Sequence, residues 1–135
     1  RRYEIVRSLS RKEIARRLAS IDPPNREAEV ARIRQVYGPL ADAIIETQRP
    51  FLEMSAADFK ALKQRIIDNW DEVLEIAASV PPAQEIAGLL EGVGGATAPQ
   101  QLRLSAEETQ AALDHAHYLR ARFTVAKFGY LMGLW

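Results

Sequence analysis

Residues 104–135 read LSAEETQAALDHAHYLRARFTVAKFGYLMGLW, and this stretch decides the fold. Ser105 is followed three residues later by Glu108. This is the capping-box pattern, in which a hydroxyl and a carboxylate each accept a hydrogen bond from an N–H group of the first helical turn. Thr124 can cap a second helix, and Gly133 suits the left-handed residue that follows a helix end. The stretch therefore predicts two helices joined by an Arg-x-Arg-Phe-Thr turn.

The inner faces of these two helices are predicted by apolar residues at helical spacing. They are Ala112, Leu113, Ala116 and Leu119 in the first helix, and Val125, Phe128 and Leu131 or Met132 in the second. Arg120 and Arg122 are expected to close the first helix, because cations are stabilised near the unpaired carbonyl groups of a helix C-terminus. Leu134 and Trp135 are expected to pack on a core, since burial of such side chains contributes roughly 1.5–3 kcal/mol each.

Upstream of this stretch lies the longest apolar stripe of the chain. It consists of Phe59, Leu62, Ile66, Trp70, Val73 and Ala77. Ser55 is its predicted cap, and the stripe indicates one long helix or two that break near Asn69. Pro81-Pro82 ends it and can begin a short helix with Ile86, Leu89 and Leu90 inward. Gly92 ends that helix, and residues 94–104 form a loop.

The remaining sequence predicts further helices of the same kind. Ser10 and Glu13 form another capping box, and Asp22 or Asn25 can cap the helix after Pro23-Pro24. The expected inner residues are Ile14, Leu18 and Ile21, then Val30, Ile33 and Val36 or Tyr37, then Leu40, Ile44 and Ile45. Gly38 ends one helix, Pro39 starts the next, and Pro50 kinks or ends it. The fold class predicted for residues 1–135 is all-α: a single helical domain, an irregular bundle of seven or eight helices.

Composition restricts the classes of function. The 135 residues contain 18 basic and 18 acidic side chains and no cysteine. Balanced charge gives no strong field for nucleic acid, and no apolar run reaches the roughly 20 residues of a membrane span. The absence of cysteine fits a reducing, cytoplasmic location. Up to Arg34 there are ten basic and five acidic residues. This run is interpreted as a solvated basic face or one that pairs with the acidic remainder.

Chemical motifs are few. His115 and His117 lie two residues apart, whereas two metal ligands on one helical face need a spacing of three or four. Gly92-Val93-Gly94-Gly95 follows a helix, whereas a phosphate loop runs from a strand into a helix. The carboxylates Asp42, Glu46, Asp71 and Glu72 are interpreted as solvated helix faces. No catalytic, coenzyme-binding or metal-ligating residue is therefore assigned.

A family resemblance covers the chain from about Asp22 onward. It is carried by Leu89-Leu90, Gly95-Ala96, Pro99, Leu102, Leu104-Ser105, Ala112-Leu113, Arg120, Arg122-Phe123-Thr124-Val125 and Gly133-Leu134, with Arg32-Ile33-Arg34 and Tyr37-Gly38-Pro39-Leu40-Ala41 upstream and the pattern around Leu62, Trp70 and Ile76 between them. These residues resemble the C-terminal end of glycerol-1-phosphate dehydrogenases, in the bacterial branch named after the arabinose-operon protein AraM. That family belongs to the iron-containing alcohol dehydrogenase and dehydroquinate synthase-like superfamily. Arg103 departs from the usual glycine near the Leu-x-Leu-Ser turn.

The resemblance implies a parent enzyme that uses NAD(P) and a divalent metal, zinc or nickel. In the family an N-terminal α/β domain binds the coenzyme, and an Asp and two His hold the metal between the domains. This sequence has no βαβ pattern, and neither His115 nor His117 falls on a ligand position of the family. The chain is therefore interpreted as the distal helical part of the substrate-and-metal domain, inactive alone and binding no cofactor. Its implied partners are the N-terminal cofactor-binding domain of the parent and a possible second subunit.

Two functions are weighed on this basis. The first is that the chain forms scaffold and cleft wall in a metal-dependent oxidoreductase acting on dihydroxyacetone phosphate or a related polyol phosphate. The alternative is an autonomous helical interaction or ligand-sensing module of a regulator. The chain begins with Arg1-Arg2 rather than Met, which is consistent with a fragment, a processed product or an engineered product; the resemblance implies a fragment of a longer protein. A βαβ pattern preceding it would favour the first function, and a helix-turn-helix would favour the second.

Overall fold

The protein, seen as a computed structural model, is described over residues 2–134. Within this range it has nine α-helices, three short 3-10 helices and no strand. The α-helices are α1 (Arg2–Arg7), α2 (Arg11–Ala19), α3 (Arg26–Tyr37), α4 (Ala41–Leu52), α5 (Ala56–Asp68), α6 (Trp70–Ser79), α7 (Ala83–Gly92), α8 (Ala106–His115) and α9 (Val125–Leu131). The 3-10 helices are Gly38–Leu40, Pro99–Leu102 and Ala116–Tyr118. The predicted irregular all-α bundle is confirmed: seven helices have nine residues or more, and α1 and α9 are shorter.

The core has two parts. One is formed by α1, α2, α5, α6 and α9, and its buried residues are Val6, Ile14, Leu18, Ile66, Trp70, Ala77, Phe128 and Met132. The other lies between α3, α4 and the segment before α9, with Ile33, Ala41, Phe51, Leu52 and Tyr118. Trp135 lies outside the described residues.

Helix α9 joins the two parts of the core. Its Phe128 ring stacks on the Trp70 ring in the first part, with 5.9 Å between centroids. The Trp70 indole N–H also donates to the backbone carbonyl of Leu9, 3.2 Å away. Tyr130 and Leu131, which are also on α9, pack against the second part. Within the C-terminal stretch, α9 therefore has a central position, whereas α8 has no buried residue.

Short polar side chains begin five of the helices as expected. Ser10, Asn25, Ser55, Ser105 and Thr124 each accept a hydrogen bond from the N–H group three residues later. Ser105 and Glu108 form the full reciprocal box, with the Ser105 N–H donating to the Glu108 carboxylate at 2.8 Å. Glu13 instead binds Arg16 and Arg17. These bonds satisfy N–H groups that have no partner within the helix.

The long apolar stripe is divided between α5 and α6, and the break falls at Asn69 as predicted. Every member of the stripe is buried or half-buried. Pro50 does not end α4, because the helix continues for two residues to Leu52. Within residues 2–134 no helix combines the length and apolar character needed to cross a bilayer.

The predicted inner faces of α7 and α8 are wrong, as is one further predicted inner residue, Leu40. Helices α7 and α8 have no buried residue; Leu89 is 67% exposed, and Leu113 and Leu119 are about half exposed. Helix α8 also ends at His115, five residues before Arg120. Leu40 is exposed in its 3-10 turn. Periodicity identifies the apolar side of a helix, but another element must cover that side before it is buried.

Gly133 and Gly88 allow a matched test of the α9 end. Gly133 has φ +56°, and the Leu134 N–H behind it donates to the Gly129 carbonyl at 3.0 Å. Gly133→Ala is expected to lower the free energy of unfolding by about 1 kcal/mol, because alanine is strained at positive φ. Gly88→Ala, inside α7 with open space around it, is expected to raise it by about 0.5–1 kcal/mol. Urea denaturation of both variants measures these changes. Equal effects of the two substitutions on the free energy of unfolding would contradict the left-handed conformation of Gly133.

Candidate functional site

Polar side chains from α3, α4, α9 and the segment between α8 and α9 meet inside the second part of the core. The buried polar and charged residues are Glu29, Gln48, His117 and Lys127. Tyr118 is fully buried among them, and Tyr130 is half-buried. Burial of such groups is costly unless they are hydrogen-bonded, so their partners decide what the cluster can do.

Glu29 is the centre of this cluster and is only 5% exposed. The phenol groups of Tyr118 and Tyr130 donate hydrogen bonds to different oxygens of its carboxylate. Arg32 forms an ion pair with it at 3.2 Å, and the same guanidinium nitrogen donates to the Tyr130 oxygen at 2.7 Å. Burial and the Glu29 carboxylate raise the pKa of both tyrosines, so each phenol keeps its proton and acts as a donor. The carboxylate thereby links α3 to the C-terminal stretch.

The His117 ring packs against both of these tyrosine rings, tilted by 40° against Tyr118 and stacked on Tyr130. Its ring centroid lies 3.9 Å from that of Tyr118 and 4.0 Å from that of Tyr130. Its Nδ1–H can donate to the Asp114 carbonyl at 3.0 Å, whereas its Nε2 is buried and has no partner within the described chain. Burial lowers the pKa of His117 to about 4. The imidazole is therefore neutral at pH 7.

The low pKa of His117 predicts a loss of stability in acid. An unfolded histidine takes up its proton near pH 6.5, whereas the folded protein resists protonation until about pH 4. Stability should therefore fall as the pH drops from 6.5 to 4, by at most about 3.5 kcal/mol at roughly 1.4 kcal/mol per pKa unit. His117→Phe should remove this contribution and leave that of the carboxylates. The prediction is tested by measuring the urea midpoints of the wild type and of His117→Phe between pH 6.5 and 4. If the midpoints of both proteins fell by the same amount over this range, the prediction would be wrong.

Lys127 is buried without a carboxylate partner in the described structure. Its amine donates to the Gln48 side-chain oxygen and lies 4.6 Å from the centroid of the Phe51 ring. Burial lowers the pKa of Lys127 to about 8. The Gln48 amide donates in turn to the carbonyls of Tyr118 and Arg120 at 2.7 and 2.8 Å. This chain of bonds fixes the irregular segment before α9 onto α4.

The two histidines do not form a metal site with the carboxylates around them. Among residues 2–134 no three His, Cys, Asp or Glu side chains are grouped so as to hold a metal ion. His117 is buried, and His115 is half-buried.

The glycine-rich segment after α7 acts as a helix end. Gly94 has φ +73°, and the Gly95 N–H donates to the Leu90 carbonyl at 2.7 Å. The segment follows a helix and leads to the Pro99–Leu102 turn, which supports the interpretation that it is not a phosphate loop. The surface carboxylates also agree with expectation, since Asp42 and Asp71 are highly exposed and pair with Arg34 and Arg11.

The buried polar cluster was not predicted from the sequence, although it left a signal there. Glu29 lies four residues before Ile33 on the inner side of α3, and Gln48 lies four residues before Leu52 on the inner side of α4. A polar residue on an apolar stripe indicates a buried polar contact. The sequence signal for burial is weaker at Lys127, which precedes Phe128.

Comparison with known proteins gives two similar sequences. The chain is 33% identical over 97 residues to a glycerol-1-phosphate dehydrogenase [NAD(P)+] of Geobacillus thermodenitrificans, which covers 71% of this chain and 22% of that protein. It is 32% identical over 100 residues to the corresponding protein of Geobacillus stearothermophilus, covering 73% and 23%. The chain thus spans about a fifth of the length of these curated relatives. No family model matches the chain, and no solved structure matches it.

Proposed function

We propose that this chain is the C-terminal helical portion of a metal-dependent, NAD(P)-linked oxidoreductase like the glycerol-1-phosphate dehydrogenases, in the AraM-like branch of their superfamily. The observation that carries the proposal is the identity of about one residue in three to two such enzymes over more than two thirds of the chain. The parent would transfer hydride from NAD(P)H to the carbonyl carbon of dihydroxyacetone phosphate or a related polyol phosphate. It would work in the cytoplasm.

The residues of this chain do not fit the coenzyme or the metal. Residues 2–134 contain no strand to lead into a phosphate-binding turn, and His115 and His117 are not grouped with carboxylates as ligands. The proposal therefore assigns coenzyme, metal and hydride transfer to the rest of the parent. The roles that it assigns to this chain are those of a structural scaffold and of a wall of the substrate cleft.

Helix α7 and the turn after it supply the surface for packing on the parent. We define the α7 surface by Ile86, Leu89, Leu90 and Val93, all of which are exposed. Val93 is 82% exposed, and α7 has no buried residue of its own. An apolar surface of this kind usually marks an interaction site, because burial contributes roughly 25 cal/mol per Å². We propose that it packs on the N-terminal cofactor-binding domain.

The test uses the parent enzyme and two variants that introduce the same residue. Leu89→Glu places a carboxylate on the α7 surface, whereas Gln84→Glu places one on the opposite side of the same helix. Leu89→Glu is expected to lower the Tm of the parent, because a charge would be buried without a partner. For the same reason, turnover of dihydroxyacetone phosphate with NADPH or NADH is expected to fall at least about tenfold. Gln84→Glu should leave both unchanged. Equal behaviour of the two variants would contradict the packing role.

The alternative, a ligand-sensing module, has one specific observation in its favour. An apolar cavity of about 300 Å³ lies between α1, α6 and α9, with Val73 and Phe128 in its wall and Phe123 at its edge. A small apolar ligand could occupy a space of this size. Sequence determination upstream of Arg1 distinguishes the two functions: a helix-turn-helix supports the sensing module, and a βαβ pattern supports the dehydrogenase.

A further inference from the structure

Helix α7 is attached to the rest of the bundle by few contacts. It has no buried residue, although α5 and α6, which precede it, supply Ile66 and Trp70 to the core. Among the hydrogen bonds between residues 2–134, only one joins α7 to another helix: the Ala83 N–H donates to the Glu4 carboxylate of α1 at 3.2 Å. Elements with little buried apolar surface open at a lower free-energy cost than the core. Helix α7 can therefore open while the core stays folded.

The start of α7 has no capping side chain of its own. The residue before the helix is Pro82, whose ring cannot accept a hydrogen bond from the first turn. Glu4 supplies this acceptor from 79 positions away in the sequence. The bond from Ala83 lowers the pKa of the Glu4 carboxyl group, so the side chain is ionised at pH 7 and is further stabilised by the partial positive charge at a helix N-terminus. Glu4 thus does for α7 what Ser55 does for α5.

Helix α1, which carries Glu4, is fixed to the bundle, whereas both ends of α7 are breaks in helical structure. In α1, Val6 is 2% exposed in the first part of the core, and Tyr3 packs against that part. On the side of α6, Val80 has an extended backbone with φ −80° and ψ 124°. After α7, Gly94 has φ +73°. Because of these breaks α7 is not a rigid continuation of α6, and it can turn as a unit.

We propose that α7 is a separately moving helix and that Glu4 is the positioning residue that holds it against α1. While the bond to Ala83 is made, the α7 surface has a fixed position relative to the core. When the bond is broken, α7 turns about the segments 80–82 and 93–95, and both parts of the core stay folded. In the parent enzyme, α1 would thereby control how the α7 surface meets the cofactor-binding domain. This last consequence rests on the proposed function, whereas the movement itself depends on this chain alone.

The test is amide hydrogen exchange of the 135-residue chain at pH 7, measured by NMR. Glu4→Ala is expected to speed the exchange of amides 87–92 at least about threefold, because a helix that loses its cap opens more often. The amides of α6 and α9, which pack on α1, should keep their rates. If Glu4 merely stabilised α1, exchange in α6 and α9 would rise together with exchange in α7. Glu27→Ala removes an exposed carboxylate from the first turn of α3 and should leave α7 unchanged.

A second variant tests the bond between Glu4 and Ala83 itself. Ala83→Pro removes the N–H that Glu4 accepts from, and proline suits the first position of a helix. In this background Glu4→Ala should have almost no further effect on amides 87–92, because coupled residues lose their interaction only once. The proposal would be overturned by equal acceleration in both backgrounds, by unchanged exchange in Glu4→Ala, or by acceleration that extends to α6 and α9. Unprotected α7 amides in the wild type would overturn it as well, since α7 would then not be held in place.

Discussion

Replacement of Glu29 by alanine is expected to lower the free energy of unfolding by about 3–5 kcal/mol. The substitution removes the only carboxylate that accepts from the phenols of Tyr118 and Tyr130 in the described structure, and it removes the ion-pair partner of Arg32. One buried phenol, one half-buried phenol and one half-buried cation would lose their acceptor together. Since domains of this size are stable by only about 5–15 kcal/mol, much of the folded state would be lost.

Two further variants distinguish the effect of the Glu29 charge from the effect of its position on α3. Glu29→Gln keeps the shape of the side chain and one acceptor oxygen, so a smaller loss of about 1–2 kcal/mol is expected. Glu27→Ala, on the exposed side of the same helix, should change stability by about 0.5 kcal/mol or less. Urea denaturation followed by circular dichroism at pH 7 measures all three. If Glu29→Ala and Glu27→Ala had the same effect, the carboxylate would not be the link between α3 and the C-terminal stretch.

Replacement of Trp70 by alanine is the second large effect, with an expected loss of about 3–5 kcal/mol. Trp70 begins α6, is fully buried, stacks on Phe128 and donates to the Leu9 carbonyl. The substitution would leave a cavity where α6 meets α9, and the Leu9 carbonyl would lose its donor. Both consequences fall on the first part of the core.

Trp70→Phe and Ile76→Ala serve as the comparison for this prediction. Trp70→Phe keeps an aromatic ring against Phe128 and should recover about half of the loss. Ile76, on the same helix, is 63% exposed, so its truncation should cost about 0.5 kcal/mol or less. Thermal unfolding by calorimetry orders the variants. A Trp70→Ala protein as stable as Ile76→Ala would show that α6 and α9 do not depend on this contact.

The sequence predicted well those features that depend on neighbouring residues. Helix starts at Ser105 and Thr124 and the break at Asn69 follow from local hydrogen bonding, which the same few residues decide. The stripe along α5 and α6 was correct because both helices have other elements of this chain to cover them. The left-handed Gly133 was predictable because few other residues tolerate that conformation.

The errors concern contacts between distant parts of the chain. Ile86 and Leu89 form an apolar side on α7, yet nothing in the described structure covers it, and no pattern within the helix reports whether a partner is present. The buried polar cluster was missed for a different reason, namely that its partners lie far apart in the sequence. Glu29 and Tyr118 lie 89 positions apart, and their pairing follows from how the helices pack. A sequence gives the two residues separately but not their distance.

The measurement that tests the proposed function most directly is turnover by the parent enzyme. It would be supplied with Zn²⁺ or Ni²⁺, and the absorbance of NADH and NADPH would be followed with dihydroxyacetone phosphate and with unphosphorylated dihydroxyacetone. We predict metal-dependent coenzyme oxidation that is selective for the phosphorylated substrate. No turnover of either substrate by a folded, metal-loaded parent would contradict the assignment of this chain to such a dehydrogenase.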